Sequence, residues 1–405
     1  MEAVKYRVYG YRWVVLAGFM VAVVFNQLLW INFAAITGLA AAYYGVSDLS
    51  IGLLSMSFMV AYLFMALPAS WVIDTYGFRT AVGIGAVLTA VFGLMRGLVG
   101  ASYALVLIAQ IGIAMGQPFI LNAVTKVAAR WFSLGERATA SGLGSLSIYV
   151  GILLGLALTP FLTLQVGIDT MLLIFGVGAV VAAVFFLAVA RERPATPPGP
   201  PEQEDRALML DGLKQIVRKR DFLLLMLIFF IGLGIFNSVT TWIEDIVRPR
   251  GFSITDAGLA GGLMILGGVI GALVLPAFSD RYRRRVPFIV IALAGAIPGL
   301  AGVTFAQTTA LLYAAAFLFG FFLLSSGPIG FQYGAEIGRP TPEGTSNGLL
   351  LLMGQISGIL FIFAMDGFKD PATGSMDPSL IALVVLMAVA LLVATRLRES
   401  RLLET

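Results

Sequence analysis

The residues of this chain whose types and spacing could do chemistry are amides and aromatic rings set inside long apolar runs. In the first half these amides are Asn26, Gln27, Asn32, Gln110, Gln117 and Asn122; in the second they are Asn237, Gln332, Asn347 and Gln355. Polar groups are costly in a bilayer, so they should face a bundle interior, where part of them bond neighbouring helices and part meet a ligand. Trp30 lies one helical turn past Asn26 and shares its face, as Gln110 shares one with Gln117. Histidine and cysteine are absent. That removes the commonest general base, thiolate chemistry, disulfides and cysteine-ligated metal, so no catalytic residue, metal site or cofactor is expected. An embedded enzyme would need such groups.

Ionisable residues are equally informative by position. None falls near the centre of an apolar run; Glu244 and Asp245 sit toward the outer end of the seventh run, and Glu336 lies beyond the inner end of the tenth. A proton-coupled carrier needs a titratable group in its pathway, and an anion carrier needs a basic one. The pattern instead suits a neutral solute, or a cation held by aromatic faces and amide oxygens.

The elements that must position these side chains follow from composition. Hydrophobic residues make up 59% of the 405 residues and charged ones 12%, with a mean hydropathy of +0.95. Such a chain calls for lipid as its solvent, and lipid-facing backbone must be helical or a closed barrel. A helix needs about 20 apolar residues to cross a core of roughly 30 Å. Runs of that length predict spans at 12–38, 50–73, 79–98, 102–127, 138–162 and 169–190, then at 221–247, 254–279, 286–306, 309–333, 345–366 and 378–396. The first run is too long for a signal peptide and lacks a small-residue cleavage site.

The expected fold class is therefore an all-α membrane protein of twelve transmembrane helices in two pseudo-symmetric six-helix bundles. Residues 1–190 form the first bundle, 191–220 a cytoplasmic linker and 221–405 the second bundle. The linker opens with a proline-rich piece around Pro197-Pro198 and Pro200-Pro201 and continues with Met209, Leu213, Ile216 and Val217 at helical spacing, an expected amphipathic helix on the membrane surface. With both termini in the cytoplasm, only Arg96, Arg248, Arg250 and Lys369 of the 26 basic residues lie outside, as the positive-inside rule requires. The net charge of +4 thus reflects topology and implies no nucleic-acid partner. The expected setting is multi-pass in the plasma membrane, as a monomer in contact with lipid.

Repetition supports the two-bundle reading. Gly45-Val46-Ser47 with Gly52-Leu53 returns 206 residues later as Gly251-Phe252-Ser253 with Gly258-Leu259, and Thr139, Gly142 and Leu143 return as Thr345, Gly348 and Leu349. Asp74 falls on Asp280, Trp30 on Phe236 and Tyr149 on Gln355. One constant offset through loops and helix ends indicates duplication. Symmetry then predicts that the paired positions face each other across a pseudo-twofold axis.

Between the second and third spans stands Asp74-Thr75-Tyr76-Gly77-Phe78-Arg79, and between the eighth and ninth Asp280-Arg281-Tyr282-Arg283-Arg284-Arg285. These loops resemble the signature of the major facilitator superfamily, with Ser70 and Pro276 in place of its leading glycine and Thr75 in place of a basic residue. The resemblance implies a gating latch. In it Asp74 accepts from a neighbouring helix N-terminus and pairs with Arg79 or Arg137, and Asp280 pairs with Arg283 or Arg284.

A narrower resemblance covers both halves: Asn26-Gln27-Leu28-Leu29-Trp30-Ile31, Gln117-Pro118-Phe119, Gly327-Pro328-Ile329-Gly330-Phe331 and Glu343-Gly344-Thr345-Ser346-Asn347-Gly348-Leu349 with Gln355-Ile356-Ser357-Gly358. These segments are similar to the feline leukaemia virus subgroup C receptor-related carriers of choline, ethanolamine and haem. The resemblance implies that Trp30 is the cage tryptophan and that Gln117 and Gln355 are site glutamines. The family's tyrosine on the seventh span is Asn237 here, beside Phe236, and Gln332 stands where an acid is expected.

The expected function is transport of a small organic solute, a choline-like cation or a neutral metabolite, by facilitative alternating access. The candidate substrate-binding residues are Asn26, Trp30, Gln117, Tyr149, Phe236, Asn237 and Gln355. A proton-coupled exporter of drugs or metabolites and a non-transporting membrane receptor or sensor are the alternatives.

Overall fold

The computed structural model describes residues 6–198, 215–339, 341 and 343–400. Among these, twelve helices are long and apolar enough to cross a membrane by length and composition. The chain divides into two units, Met1–Gln203 and Glu204–Thr405.

In unit 1 the first span is a broken rod. Helix α1 (Arg12–Ile31) tightens into a 3-10 turn at Asn32–Ala35, kinks at Ile36 (φ −139°, ψ 29°) and restarts as α2 (Thr37–Tyr44). The following helices are α3 (Asp48–Tyr76), α4 (Phe78–Leu98), α5 (Tyr103–Leu121), α6 (Val124–Trp131), α7 (Arg137–Val166) and α8 (Ile168–Val189). The fourth predicted span is thus also interrupted, at Asn122-Ala123, just after Pro118, which offers no N–H to the preceding turn.

Unit 2 repeats the six spans, with its 3-10 turn after rather than before the short helix and with its fourth span unbroken. It comprises α9 (Arg220–Thr241), α10 (Ile243–Val247), a 3-10 turn at Arg248–Arg250, α11 (Ile254–Tyr282), α12 (Val286–Phe305), α13 (Thr309–Gly338), α14 (Glu343–Gly367) and α15 (Asp377–Ala394). Both boundaries of α11 lie 206 residues after those of α3, and α14 begins 206 residues after α7. Even the caps correspond. Ser47 accepts from the Ser50 N–H at 3.2 Å, and Ser253 accepts from the Asp256 N–H at 3.1 Å while its own N–H bonds the Asp256 carboxylate, a reciprocal capping box. The recurrence predicted from short motifs therefore extends to the helix ends.

Packing within each unit follows the small residues. In unit 1, α1 packs on α7, and α4 on α8 and α5. A Cβ on Gly151 would stand 2.7 Å from Gln27 Cβ and one on Gly155 2.8 Å from Ile31, so α1 and α7 touch at backbone range. In unit 2 the corresponding pair is α9 on α14, closed at Gly234, where a Cβ would come within 2.8 Å of Ser357. The buried core of unit 1 runs through Phe19, Val23, Phe78, Val82, Phe119, Phe132 and Phe186.

Of the polar stretch, residues 191–198 and 215–220 are described: the first piece is bonded within unit 1, and Lys219 of the second donates to the Ile337 carbonyl of unit 2 at 2.9 Å. Arg7 N–H donates to Pro197 O at 3.1 Å, Tyr9 Oη meets Thr196 Oγ1 at 3.2 Å, and Trp131 Nε1 donates to Arg191 O at 2.9 Å. The expected amphipathic helix falls mostly on residues 199–214, outside the described residues.

Candidate functional site

Trp30 closes α1 immediately before its break. Its indole Nε1 donates to the Ser55 carbonyl of α3 at 3.0 Å, and its ring tilts against Phe58 at 6.4 Å between centroids, leaving the residue 7% exposed. The N–H is spent on the scaffold, so what the ring can offer a ligand is its face. Gln117, on α5, is mostly buried, and Tyr149, on α7, is half-buried; neither makes a hydrogen bond within the described residues. These side chains keep their hydrogen-bonding capacity for something else.

Asn26 does not. It is fully buried, donates from Nδ2 to Thr89 Oγ1 at 3.0 Å and accepts from Gln27 Nε2 at 3.1 Å. The amide ties α1 to α4, the ordinary use of a polar group between helices in lipid.

In unit 2, Phe236 is buried at 7% exposure and Asn237 beside it is half-buried. Asn237 Nδ2 donates to the Gly354 carbonyl at 3.1 Å, which anchors the amide to α14 while leaving Oδ1 without a partner. The next residue, Gln355, is half-buried and makes no hydrogen bond within the described residues. Asn237 is thereby bonded to the α14 residue that precedes Gln355.

A buried fixed charge lies near the outer end of a span. Arg96, assigned to the outer side by the charge count, is 0% exposed within α4. Its Nη1 donates to Leu29 O at 3.1 Å, Asn32 Oδ1 at 3.3 Å and Gln110 Oε1 at 2.5 Å, and its Cζ lies 5.5 Å from the Phe33 ring centroid. It sits two residues from the helix end, so its outer-side assignment stands while its burial is a finding of the packing.

The loops expected to form a latch are wired differently from the sequence reading. Asp74 pairs with Lys126 at 3.4 Å, not with Arg79 or Arg137, and its side chain is 67% exposed. Arg137 Nε donates instead to the Phe132 carbonyl at 3.3 Å. The acceptor at the N-terminus of α4 is Glu192, which takes the N–H groups of Phe78 at 3.2 Å and Arg79 at 2.8 Å. Its counterpart is Glu399, which takes Arg285 N–H at 2.8 Å and Val286 N–H at the start of α12.

Asp280 pairs with Arg285, not with Arg283 or Arg284. Arg283 is the left-handed cap of α11 at φ 52°, and the Arg284 backbone bonds Ser279. Arg285 also bonds Glu336 at 3.1 Å and Ser279 Oγ at 3.2 Å. Burial alone would lower this guanidinium, but its hydrogen bonds to Asp280 and Glu336 outweigh that and leave its pKa raised. The signal for both missed caps was available: an acid among basic residues just past the sixth and twelfth spans.

Helices of this length and order, duplicated with glycine-lined contacts and capped loops after the second and eighth spans, are the build of a membrane carrier. The profile of the Major Facilitator Superfamily matches residues 8–362, and the chain belongs to that family of membrane transporters. It is 31% identical over 386 residues to solute carrier family 49 member A3 of Danio rerio, covering 91% of this chain and 81% of that one. It is 25% identical over 380 residues to the human choline/ethanolamine transporter FLVCR2, covering 89% of this chain and 72% of that one. In fold it resembles a bacterial homologue of the human lysosomal transporter Spinster in an inward-facing, unoccupied conformation, with a TM-score of 0.74 at 17% identity and coverage of 96% and 98%. The chain is accordingly a multi-pass transporter and not an enzyme.

Proposed function

We propose that this transporter carries a small organic solute of the choline or ethanolamine type, or a neutral metabolite of similar size, by facilitative alternating access. The observation that supports it best is the set of unfilled hydrogen-bonding groups in units that also carry buried aromatic rings: Gln117 and Tyr149 in the unit of Trp30, and Asn237 Oδ1 and Gln355 in the unit of Phe236. An amide oxygen can accept from an ethanolamine hydroxyl or ammonium, and an aromatic face attracts a quaternary ammonium without needing a hydrogen bond from it. The resemblance to a choline/ethanolamine transporter adds to this reading. No solute-coupling acid is required. A membrane potential of 100 mV supplies about 2.3 kcal/mol for each positive charge moved inward. Residence in the plasma membrane as a monomer, with both termini cytoplasmic, belongs to the same proposal.

A thermal-shift screen of the purified protein against choline, ethanolamine, betaine and neutral metabolites tests the solute class. Stabilisation by choline or ethanolamine that disappears in Gln355→Ala supports the reading. Stabilisation only by anionic solutes contradicts it.

A further inference from the structure

We infer that Arg96 is a positioning residue of the solute site, holding open the break in α1 that fixes Trp30. The inference rests on Trp30 contacting solute. Where α1 changes from α to 3-10 geometry, hydrogen-bonding partners shift along the chain and the last α-helical carbonyls need other donors. Those donors come from two neighbouring helices. Arg96 of α4 reaches Leu29 O at 3.1 Å, and Gln110 of α5 donates to Leu29 O at 3.3 Å and Trp30 O at 3.5 Å. Arg96 also donates to Gln110 Oε1 at 2.5 Å, orienting that amide so that its NH2 faces the α1 carbonyls. It steadies Asn32, the first residue of the 3-10 turn, from the side.

The arrangement is costly, which is why it points to function. Among the described residues, this guanidinium at 0% exposure has no acid within salt-bridge distance, and its Nε and Nη2 lack partners, as does the buried Tyr44 Oη. An apolar residue at this place would avoid the desolvation of a lone cation. What an apolar residue could not supply is a donor to the broken end of α1. The close approach is provided one turn earlier by Gly93, where a Cβ would stand 2.6 Å from Leu29 Cδ2. Arg96 acts through the backbone of residues 29–32, and Trp30 is the side chain that this backbone aims.

The test compares Arg96→Gln and Arg96→Lys in the full-length protein by three readouts. The first is amide exchange across unit 1, the second Trp30 emission isolated by subtracting the same background carrying Trp30→Phe, and the third choline uptake into proteoliposomes. Arg96→Gln is expected to speed exchange by ~10-fold in peptides covering 29–37, with α7 and α8 unchanged, and to shift Trp30 emission to the red. Choline KM should rise ~10-fold while Vmax stays within about twofold, and Arg96→Lys, which keeps a donor cation, should recover part of each effect. Exchange that rises evenly through unit 1, or an unshifted Trp30 emission, would overturn the positioning role. So would an unchanged KM in Arg96→Gln when Trp30→Ala raises it. If Trp30→Ala also keeps its choline KM, the solute reading itself fails, and the inference with it.

Discussion

Glu192 and Gly77 occupy the same corner of unit 1: the Glu192 carboxylate accepts the Phe78 and Arg79 N–H groups where a Cβ on Gly77 would otherwise sit. Gly77 also holds φ at 88°, a left-handed value that favours glycine. Glu192→Gln should keep the geometry but lose the charge opposite the α4 macrodipole, lowering stability by about 0.5–1 kcal/mol, and Gly77→Ala should cost more. Thermal melts of the two variants give the order. Glu399→Gln should behave like Glu192→Gln, because Glu399 caps α12 in the same way.

The ion pairs of the two loops should respond unequally to substitution. Asp74 is 67% exposed and meets Lys126 at 3.4 Å, so Asp74→Asn should change stability by about 0–1 kcal/mol. Arg285 is 8% exposed and joins Asp280 to Glu336, so Arg285→Ala should cost about 3–5 kcal/mol by stranding buried Glu336. Thermal or denaturant unfolding of both variants measures the difference, and equal losses would refute the asymmetry.

Asn26 and Gln117 separate scaffold from site. Asn26→Ala removes the donor to buried Thr89 Oγ1 and strands Gln27 Nε2, and should lower stability by about 1–3 kcal/mol while leaving solute affinity within about twofold. Gln117→Ala should do the reverse, weakening solute binding with little effect on the melt, since it breaks no bond within the described residues. Calorimetric titration alongside the melts distinguishes the two.

A pH dependence follows at Glu136. Hydrogen bonds from Ser133 and from Arg12, the latter at 2.9 Å, hold its carboxyl below the ordinary value of 4.5. A depressed folded-state pKa contributes stability above the unfolded pKa and loses it as pH falls through the folded value. The melting-temperature advantage of the wild type over Glu136→Gln should therefore be full near neutrality and shrink below about pH 4.5.

Span positions were legible because twenty apolar residues in a row admit few other structures in lipid. Duplication was legible because turns and caps such as Ser47 and Ser253 keep their residues under it. The break after Ile31 was not, since the donors that sustain it, Arg96 and Gln110, come from helices distant in sequence. Arg96 illustrates a general difficulty: the sequence shows a charge near a span end, while only packing shows that the guanidinium turns inward. Asn26 and Asn237 looked alike as amides beside aromatic residues. Their difference lies in what each meets, Thr89 and Gln27 for the one and a single carbonyl for the other.

Counterflow of radiolabelled choline into proteoliposomes loaded with unlabelled choline, for the wild type and Trp30→Ala, tests facilitative transport through Trp30 most directly. Label is expected to accumulate transiently in the wild type at neutral pH without a proton gradient, and not in Trp30→Ala. Equal accumulation in both, or accumulation in the wild type only when a proton gradient is imposed, would contradict that mechanism.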